Sequence, residues 1–270
     1  MKDKVVLITG GSSGIGKALA LEFGKHGSKI AITGRDQGKL AEVGQELANA
    51  GIIYLTIPSD VSSQTDTEAA VQQTVTHFGK LDVLINNAGI SMRAMFEDLD
   101  VEVIRKVMDI NFFGSVYATK AALPHILATK GSIVGISSIA GYRGLPVRCG
   151  YSASKFALNG FLEALRTELL HSGVNVLTAS PGFTASNIRF ASLGKDGTKT
   201  GETMRDEGKM MSAEEVASHI YKATLQRKRQ LILTTQGKLT VFLSKLFPKW
   251  MDAMVYNTLA KEDNSPLKRR

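Results

Sequence analysis

Seven short runs of Val, Ile and Leu divide this chain: "KVVLIT" (4–9), "SKIAITG" (28–34), "IIYLTI" (52–57), "LDVLIN" (81–86), "GSIVGISS" (131–138), "VNVLTA" (174–179) and "QLILT" (230–234). Helical stretches separate nearly all of them. "IGKALALEFGKHG" (15–27) places Ile15, Leu19 and Phe23 on one face, and "DQGKLAEVGQELANAG" (36–51) is ended by Gly51. Short apolar strands alternating with helices build a parallel sheet covered on both faces. The expected fold is α/β, a doubly wound parallel seven-stranded sheet of Rossmann type with right-handed crossovers. A chain of 270 residues, 43% hydrophobic and 21% charged, can form it as one domain. We expect residues 1–235 to be the dinucleotide-binding and catalytic body, and residues 236–270 a helical extension. The polar stretch 192–211 reads as a mobile loop or short helices beside the C-terminal edge of the sheet, where a substrate lid would sit.

The first strand runs into the first helix through "TGGSSGIG" (9–16). Glycines there let backbone N–H groups approach a ligand, and a helix N-terminus favours phosphate. The same letters fit G-x-S-x-G, the nucleophile elbow of hydrolases. An elbow needs an oxyanion loop from earlier strands, and only nine residues precede Gly10. The dinucleotide reading therefore stands.

The end of the second strand reads "AITGRD". NAD enzymes place an acid there to bond the ribose 2′-hydroxyl. Arg35 instead offers a planar fork to a 2′-phosphate. Asp36 directly precedes the helical pattern and reads as its N-cap. NADP(H) is expected over NAD(H).

Farther on, "VRCGYSASKF" (147–156) sets Tyr151 and Lys155 one helical turn apart. Taken alone, a surface helix with a solvated lysine explains that spacing. The company it keeps is more specific. "TGGSSGIG", "NNAG" (86–89), Asn111 in "MDINFFG", "GISSIAG" (135–141), "YSASK" (151–155) and "SPG" (180–182) occur in order over roughly residues 4–235. This set resembles the short-chain dehydrogenase/reductase family, and two longer stretches, "NNAGISMRAMFEDLD" and "ISSIAGYRGLPVRCGYSASK", carry a closer likeness to one subgroup of it.

The resemblance implies catalytic roles for Asn111, Ser138, Tyr151 and Lys155. Tyr151 would be the general acid in carbonyl reduction and the base in reverse. Its free phenol pKa of ~10 is too high for an efficient base at neutral pH, and Lys155 would lower it. Lys155 would also hold the nicotinamide ribose. Ser138 would donate to the carbonyl oxygen, with Ser137 beside it as the other choice. Asn111 would sit in a helix and hold a water that passes protons to Lys155.

The cofactor contacts implied are Gly10, Ser12, Ser13, Gly14, Ile15 and Gly16 at the turn, and Arg35. Asp60 and Val61 would meet the adenine, and Asn87, Ala88 and Gly89 would wall the adenine-side ribose. Tyr151, Lys155, Pro181, Gly182, Phe183 and Ser186 would close the nicotinamide side. Ser186 stands where the family usually has threonine.

Other features narrow the class. Cys149 is the one cysteine, so no internal disulfide framework exists and a reducing compartment is expected. No CxxC or HExxH pattern calls for a metal. Met1 leads almost at once into the first strand, so no cleavable leader is expected. A cytoplasmic location is expected, with peripheral membrane contact as a further expectation.

Charge supports that second expectation. Lys222 to Arg270 carry eleven Lys/Arg and three Asp/Glu, which accounts for the whole net charge of +8. In "LTVFLSKLFPKWMDAMVYNTL" (239–259), apolar residues recur at 239, 242, 243 and 246, then at 250, 251, 254, 255 and 259, with a break near Pro248. Lys238, Lys245 and Lys249 border the apolar side. Such a segment can lie on a bilayer, cover the substrate mouth or pack against a sister subunit. A homodimer or homotetramer is expected, and no nucleic-acid partner.

The functional expectation is an NADP(H)-dependent oxidoreductase acting on a lipophilic ketone or aldehyde. A ketoacyl-carrier reductase is a rival, since an acidic carrier suits a basic surface. A non-catalytic dinucleotide-binding regulator is a third reading, but it would not require Asn111, Ser138, Tyr151 and Lys155 together.

Overall fold

A computed structural model describes residues 1–182, 184, 192–200, 210–262 and 265–269. Seven parallel strands form one sheet in the order β3-β2-β1-β4-β5-β6-β7. They are β1 (Val5–Ile8), β2 (Lys29–Gly34), β3 (Tyr54–Pro58), β4 (Val83–Asn86), β5 (Ser132–Ile136), β6 (Asn175–Ser180) and β7 (Gln230–Ile232). The chain winds outward from β1 to β3, then returns to the other side of β1 with β4. That reversal opens a crevice at the strands' C-terminal ends, where doubly wound sheets bind ligands.

Strand periodicity explains the two covered faces. Val6 and Ile8 point to one side with Ile30 and Ile32. They meet Leu19 and Phe23 of α1 (Gly14–Lys25), Leu40, Val43 and Leu47 of α2 (Gln37–Asn49), and Val216 and Ile220 of α7 (Ala213–Leu225). Val5, Leu7 and Ala31 point to the other side. There they meet Val71 of α3 (Gln64–Phe78), Ala118, Ala122 and Ile126 of α5 (Gly114–Thr129), and Leu158 and Leu162 of α6 (Cys149–Glu168). Each fully buried Val, Leu, Ile or Phe side chain among them contributes roughly 1.5–3 kcal/mol.

The strands are shorter than the apolar runs. Ile52 and Ile53 precede β3 rather than start it, and Ile53 is exposed. Asp36 does cap α2, its carboxylate accepting from the Lys39 N–H at 3.1 Å. The stretch 192–200 is not a loose loop. Leu193 is buried, donates its N–H to Ser91 O at 2.9 Å, and accepts from the Arg93 N–H at 2.8 Å. Residues 201–209 lie outside the described residues.

The C-terminal extension folds as α8 (Thr235–Leu246) and α9 (Pro248–Ala260). Pro248 at the first turn of α9 explains the break in the helical pattern. The apolar stripe read as one side divides in two. Met251, Val255 and Leu259 turn inward and pack with Leu267 on Val147, beside Met95 and Leu145. Leu239, Phe242, Leu246, Phe247 and Trp250 face outward and are exposed. Three arginines of the body anchor the extension: Arg143 pairs with Asp252, and Arg93 and Arg148 both approach Glu262. Among the described residues, no helix is long and apolar enough to cross a membrane.

Candidate active site

The glycine turn after β1 is shaped by close packing. Gly10 and Gly14 have φ of +66° and +52°, where L side chains are strained. A Cβ on Gly10 would stand 2.9 Å from Ala88 Cα, and one on Gly16 would collide with the Gly10 carbonyl. Asn87 locks the turn from β4. Its Nδ2 donates to Thr9 O and Gly10 O, both at 3.0 Å. Thr9 Oγ1 accepts from the N–H groups of Asn87 and Ala88 at 3.0 and 3.1 Å. The Asn87 amide therefore holds the turn while the residue also lines the cleft. Ser13 makes no side-chain cap on α1, so the first N–H groups of that helix open on the cleft.

The cleft beyond the turn encloses about 820 Å³. Gly10, Ser12, Ser13, Gly14, Ile15, Gly16, Arg35, Asp60, Val61, Asn87, Ala88, Gly89, Ser138, Tyr151, Lys155, Pro181 and Gly182 all line it. Asn111 does not; it is fully buried behind the wall. Phe183 and Ser186 lie outside the described residues. Lys39, Lys106, Arg148, Thr184 and Lys199 line the cleft as well and escaped the sequence reading. For Lys39 a signal existed, since it lies one helical turn beyond Arg35.

At the end of the cleft beside β2 and β3, Arg35 Nη1 lies 4.0 Å from Asp60 Oδ2. Burial pushes the Asp60 carboxyl up. Hydrogen bonds from the Ser62 hydroxyl and N–H, with the charges of Arg35 and Lys106, more than offset this and hold it below its ordinary value. The Asp36 carboxylate is engaged in capping α2.

The other end of the cleft combines β5 and α6. Ser138 follows β5; its hydroxyl accepts from the Ala140 N–H at 3.2 Å and lies near enough to the Tyr151 phenol to pull it down. Between the two candidate serines, Ser138 is therefore the one that meets Tyr151. Burial pushes the Tyr151 phenol up, while the Ser138 hydroxyl and the charge of Arg148 pull it down. Lys155 is buried, and its Nζ donates to Ile136 O at 2.9 Å. Burial lowers its pKa to about 8. Its Nζ stands 5.9 Å from the centre of the Tyr151 ring.

Asn111 lies in a π-helical turn (Asp109–Phe113) between α4 (Val101–Met108) and α5, not in a regular α-helix. Such turns often mark functional sites. Its Oδ1 accepts from the Ile90 N–H at 2.8 Å, and its Nδ2 donates to Ile90 O and Ser154 Oγ, both at 2.9 Å. The side chain grips the strand exit after β4 and, through Ser154, α6. It thereby fixes Gly89 against Lys155.

The pattern of the short chain dehydrogenase family matches residues 4–195. The chain belongs to this family. It is 35% identical over 271 residues to mouse "Dehydrogenase/reductase SDR family member 7B", covering 98% of this chain and 84% of the relative. It is 36% identical over 268 residues to "11-beta-hydroxysteroid dehydrogenase 1A" of Arabidopsis thaliana, covering 94% and 76%. Among solved structures, an alcohol dehydrogenase from the archaeon Thermococcus sibiricus, complexed with 5-hydroxy-NADP, superposes with a TM-score of 0.75. That pair is 25% identical and covers 86% of this chain and 96% of the other. This chain is thus a member of an oxidoreductase family whose relatives bind nicotinamide dinucleotides. Its own residues fit such a group. The close backbone packing at Gly10 and Gly16 leaves a side-chain-free cradle, and uncapped N–H groups of α1 face it.

Proposed function

We propose that this short-chain dehydrogenase is an NADP(H)-dependent oxidoreductase that interconverts a lipophilic ketone or aldehyde with its alcohol. The observation that carries this reading is the convergence of Ser138, Tyr151 and Lys155 on the wall of one cleft, with Lys155 buried one helical turn from Tyr151. A bound nicotinamide dinucleotide supplies the hydride for reduction and accepts it in oxidation. Tyr151 gives its phenolic proton to the carbonyl oxygen in reduction and removes the hydroxyl proton in oxidation. Ser138 orients that phenol and donates toward the substrate oxygen. Lys155, with a pKa of about 8, can exchange a proton near neutral pH and so restore the phenol. Asn111 keeps the Ile90 backbone and the Tyr151 helix in register. A panel of carbonyl compounds, followed by NADPH absorbance, tests the reading; no turnover on any would sink it.

Arg35 and Lys39 supply positive charge beside the cleft's adenine end, and the Asp36 carboxylate is engaged by α2. These features support the 2′-phosphorylated cofactor. Arg35→Asp should weaken NADPH binding by about a hundredfold while NADH binding is kept or improved. Titration of both cofactors decides it, and equal losses for both would refute the assignment.

The lipophilic substrate class draws support from the printed name of the steroid dehydrogenase relative and from the extension. Phe242 and Trp250 are 60% and 55% exposed, and Lys238, Lys245 and Lys249 belong to the same helical pair. An apolar face rimmed by lysines suits an anionic bilayer, each basic residue adding about 1 kcal/mol near such a surface. The full chain should co-sediment with anionic vesicles, less so in high salt. Because both aromatics point outward, Phe242→Ser with Trp250→Ser should lower sedimentation about tenfold without unfolding the protein. A wild-type chain that ignores such vesicles at low salt would exclude the membrane role.

A further inference from the structure

Arg148 occupies the N-cap position of α6, the helix that carries Tyr151 and Lys155. A cation is disfavoured at a helix N-terminus, and caps favour Ser, Thr, Asp or Asn. Arg148 makes no side-chain cap there. The residue before it is also unfavourable. Val147 has a φ of +58°, in the left-handed region that a β-branched residue avoids. Strain of this kind persists where surrounding contacts over-determine it. Val147 O accepts from the Ala94 N–H at 2.9 Å, and its side chain is buried under Met251, Val255 and Leu259 of α9.

The same extension supplies the countercharge. Glu262 is only 6% exposed, and its Oε2 lies 3.5 Å from Arg93 Nη2 and 3.7 Å from Arg148 Nη2. A buried carboxylate needs cationic partners, so Glu262 ties both arginines to the tail. Arg148 itself lines the cleft with Ser138, Tyr151 and Lys155.

We propose that Arg148, held by Glu262 of the C-terminal extension, is a positioning residue that sets the charge balance at the Tyr151 oxygen, making the tail part of the proton-transfer site. The proposal rests on the reading of Tyr151 as the proton donor. The groups around the phenol support it. Ser138 stands beside the phenol at the end of β5, and Lys155 directs its Nζ to Ile136 O. Cys149 lies on the same helix, and Lys106 and Lys199 are on the cleft wall. Beyond Arg148 stand Glu262 and Arg93. Apart from Ser138, Arg148 is the group that pulls the buried phenol down. Its positive charge favours the phenolate, and the Glu262 carboxylate moderates that charge.

The test is an ultraviolet difference titration of tyrosinate in the full chain, with no cofactor or substrate. Each variant is compared with the same variant carrying Tyr151→Phe, which isolates the Tyr151 signal. Arg148→Gln should move the Tyr151 midpoint up by about one pH unit, and Arg148→Lys should restore most of it. Glu262→Gln should move it the other way, by about half a unit. A midpoint unmoved in either variant, or moved in the same direction by both as loosened packing would do, overturns the proposal. The readout involves no turnover, so its failure is distinct from a failure of the enzymatic reading.

Discussion

Tyr151→Phe is expected to lower turnover by about three orders of magnitude while dinucleotide binding persists. The phenol supplies the proton that the carbonyl oxygen needs, and phenylalanine keeps the ring without it. The pH dependence of the wild type should carry the same mark. Burial pushes the phenol up, so it remains protonated through neutral pH. Reduction, which uses the acid form, should be flat across neutrality and fall in alkali. Oxidation, which needs the phenolate, should rise with pH. Stopped-flow reduction of one good carbonyl substrate by both proteins checks this. A phenylalanine variant with near-normal turnover would remove Tyr151 from the reaction.

Lys155→Met should act in two opposite directions. Turnover should fall at least a hundredfold, because the buried group that returns a proton to the phenol is gone. Stability should rise. Lys155 is almost fully buried and its pKa drops from 10.5 to about 8, so keeping it charged in the fold costs on the order of 3 kcal/mol. The folded state holds this proton less tightly than the unfolded chain does. The cost is therefore fully present below pH 8, declines as pH rises toward 10.5, and is absent above. Methionine fills similar space without the charge, although the bond to Ile136 O is lost. Melting at pH 7 should move up by roughly 5 °C, with little difference left in strong alkali. A lower Tm for the variant would show that the bond to Ile136 outweighs the desolvation.

Much of this was legible in the chain. Parallel strands buried on both faces must be continuous apolar runs, so their number and spacing could be read directly. Asp36 was legible because an acid just before a helical pattern has a specific task, and α2 uses it that way. Tyr151, Ser138 and Lys155 were legible through the family resemblance, which rests on motifs the chain carries in order. Other features leave no local trace. A π-helical turn at Asp109–Phe113 differs from an α-helix by one residue of register, and no apolar spacing announces it. The meeting of Glu262 with Arg93 and Arg148 joins distant parts of the chain, so only the folded tail reveals it. The extension showed the same limit. Helical spacing marked its apolar residues, but which ones turn inward depends on Val147, far upstream.

The order of synthesis gives that distant contact another meaning. A nascent chain that has reached Leu246 already contains Asn111, Ser138, Tyr151 and Lys155. It still lacks Met251, Val255 and Leu259, which clamp Val147, and Glu262, which holds Arg148. Ribosomes add about 5–20 residues per second, so the missing stretch follows within seconds of the rest. Until then the cleft is present, but Val147 and Arg148 lack their contacts from the tail. A premature stop or a proteolytic cut before Met251 leaves the molecule in that juvenile state, with the sheet complete and Val147 and Arg148 without their partners from the tail.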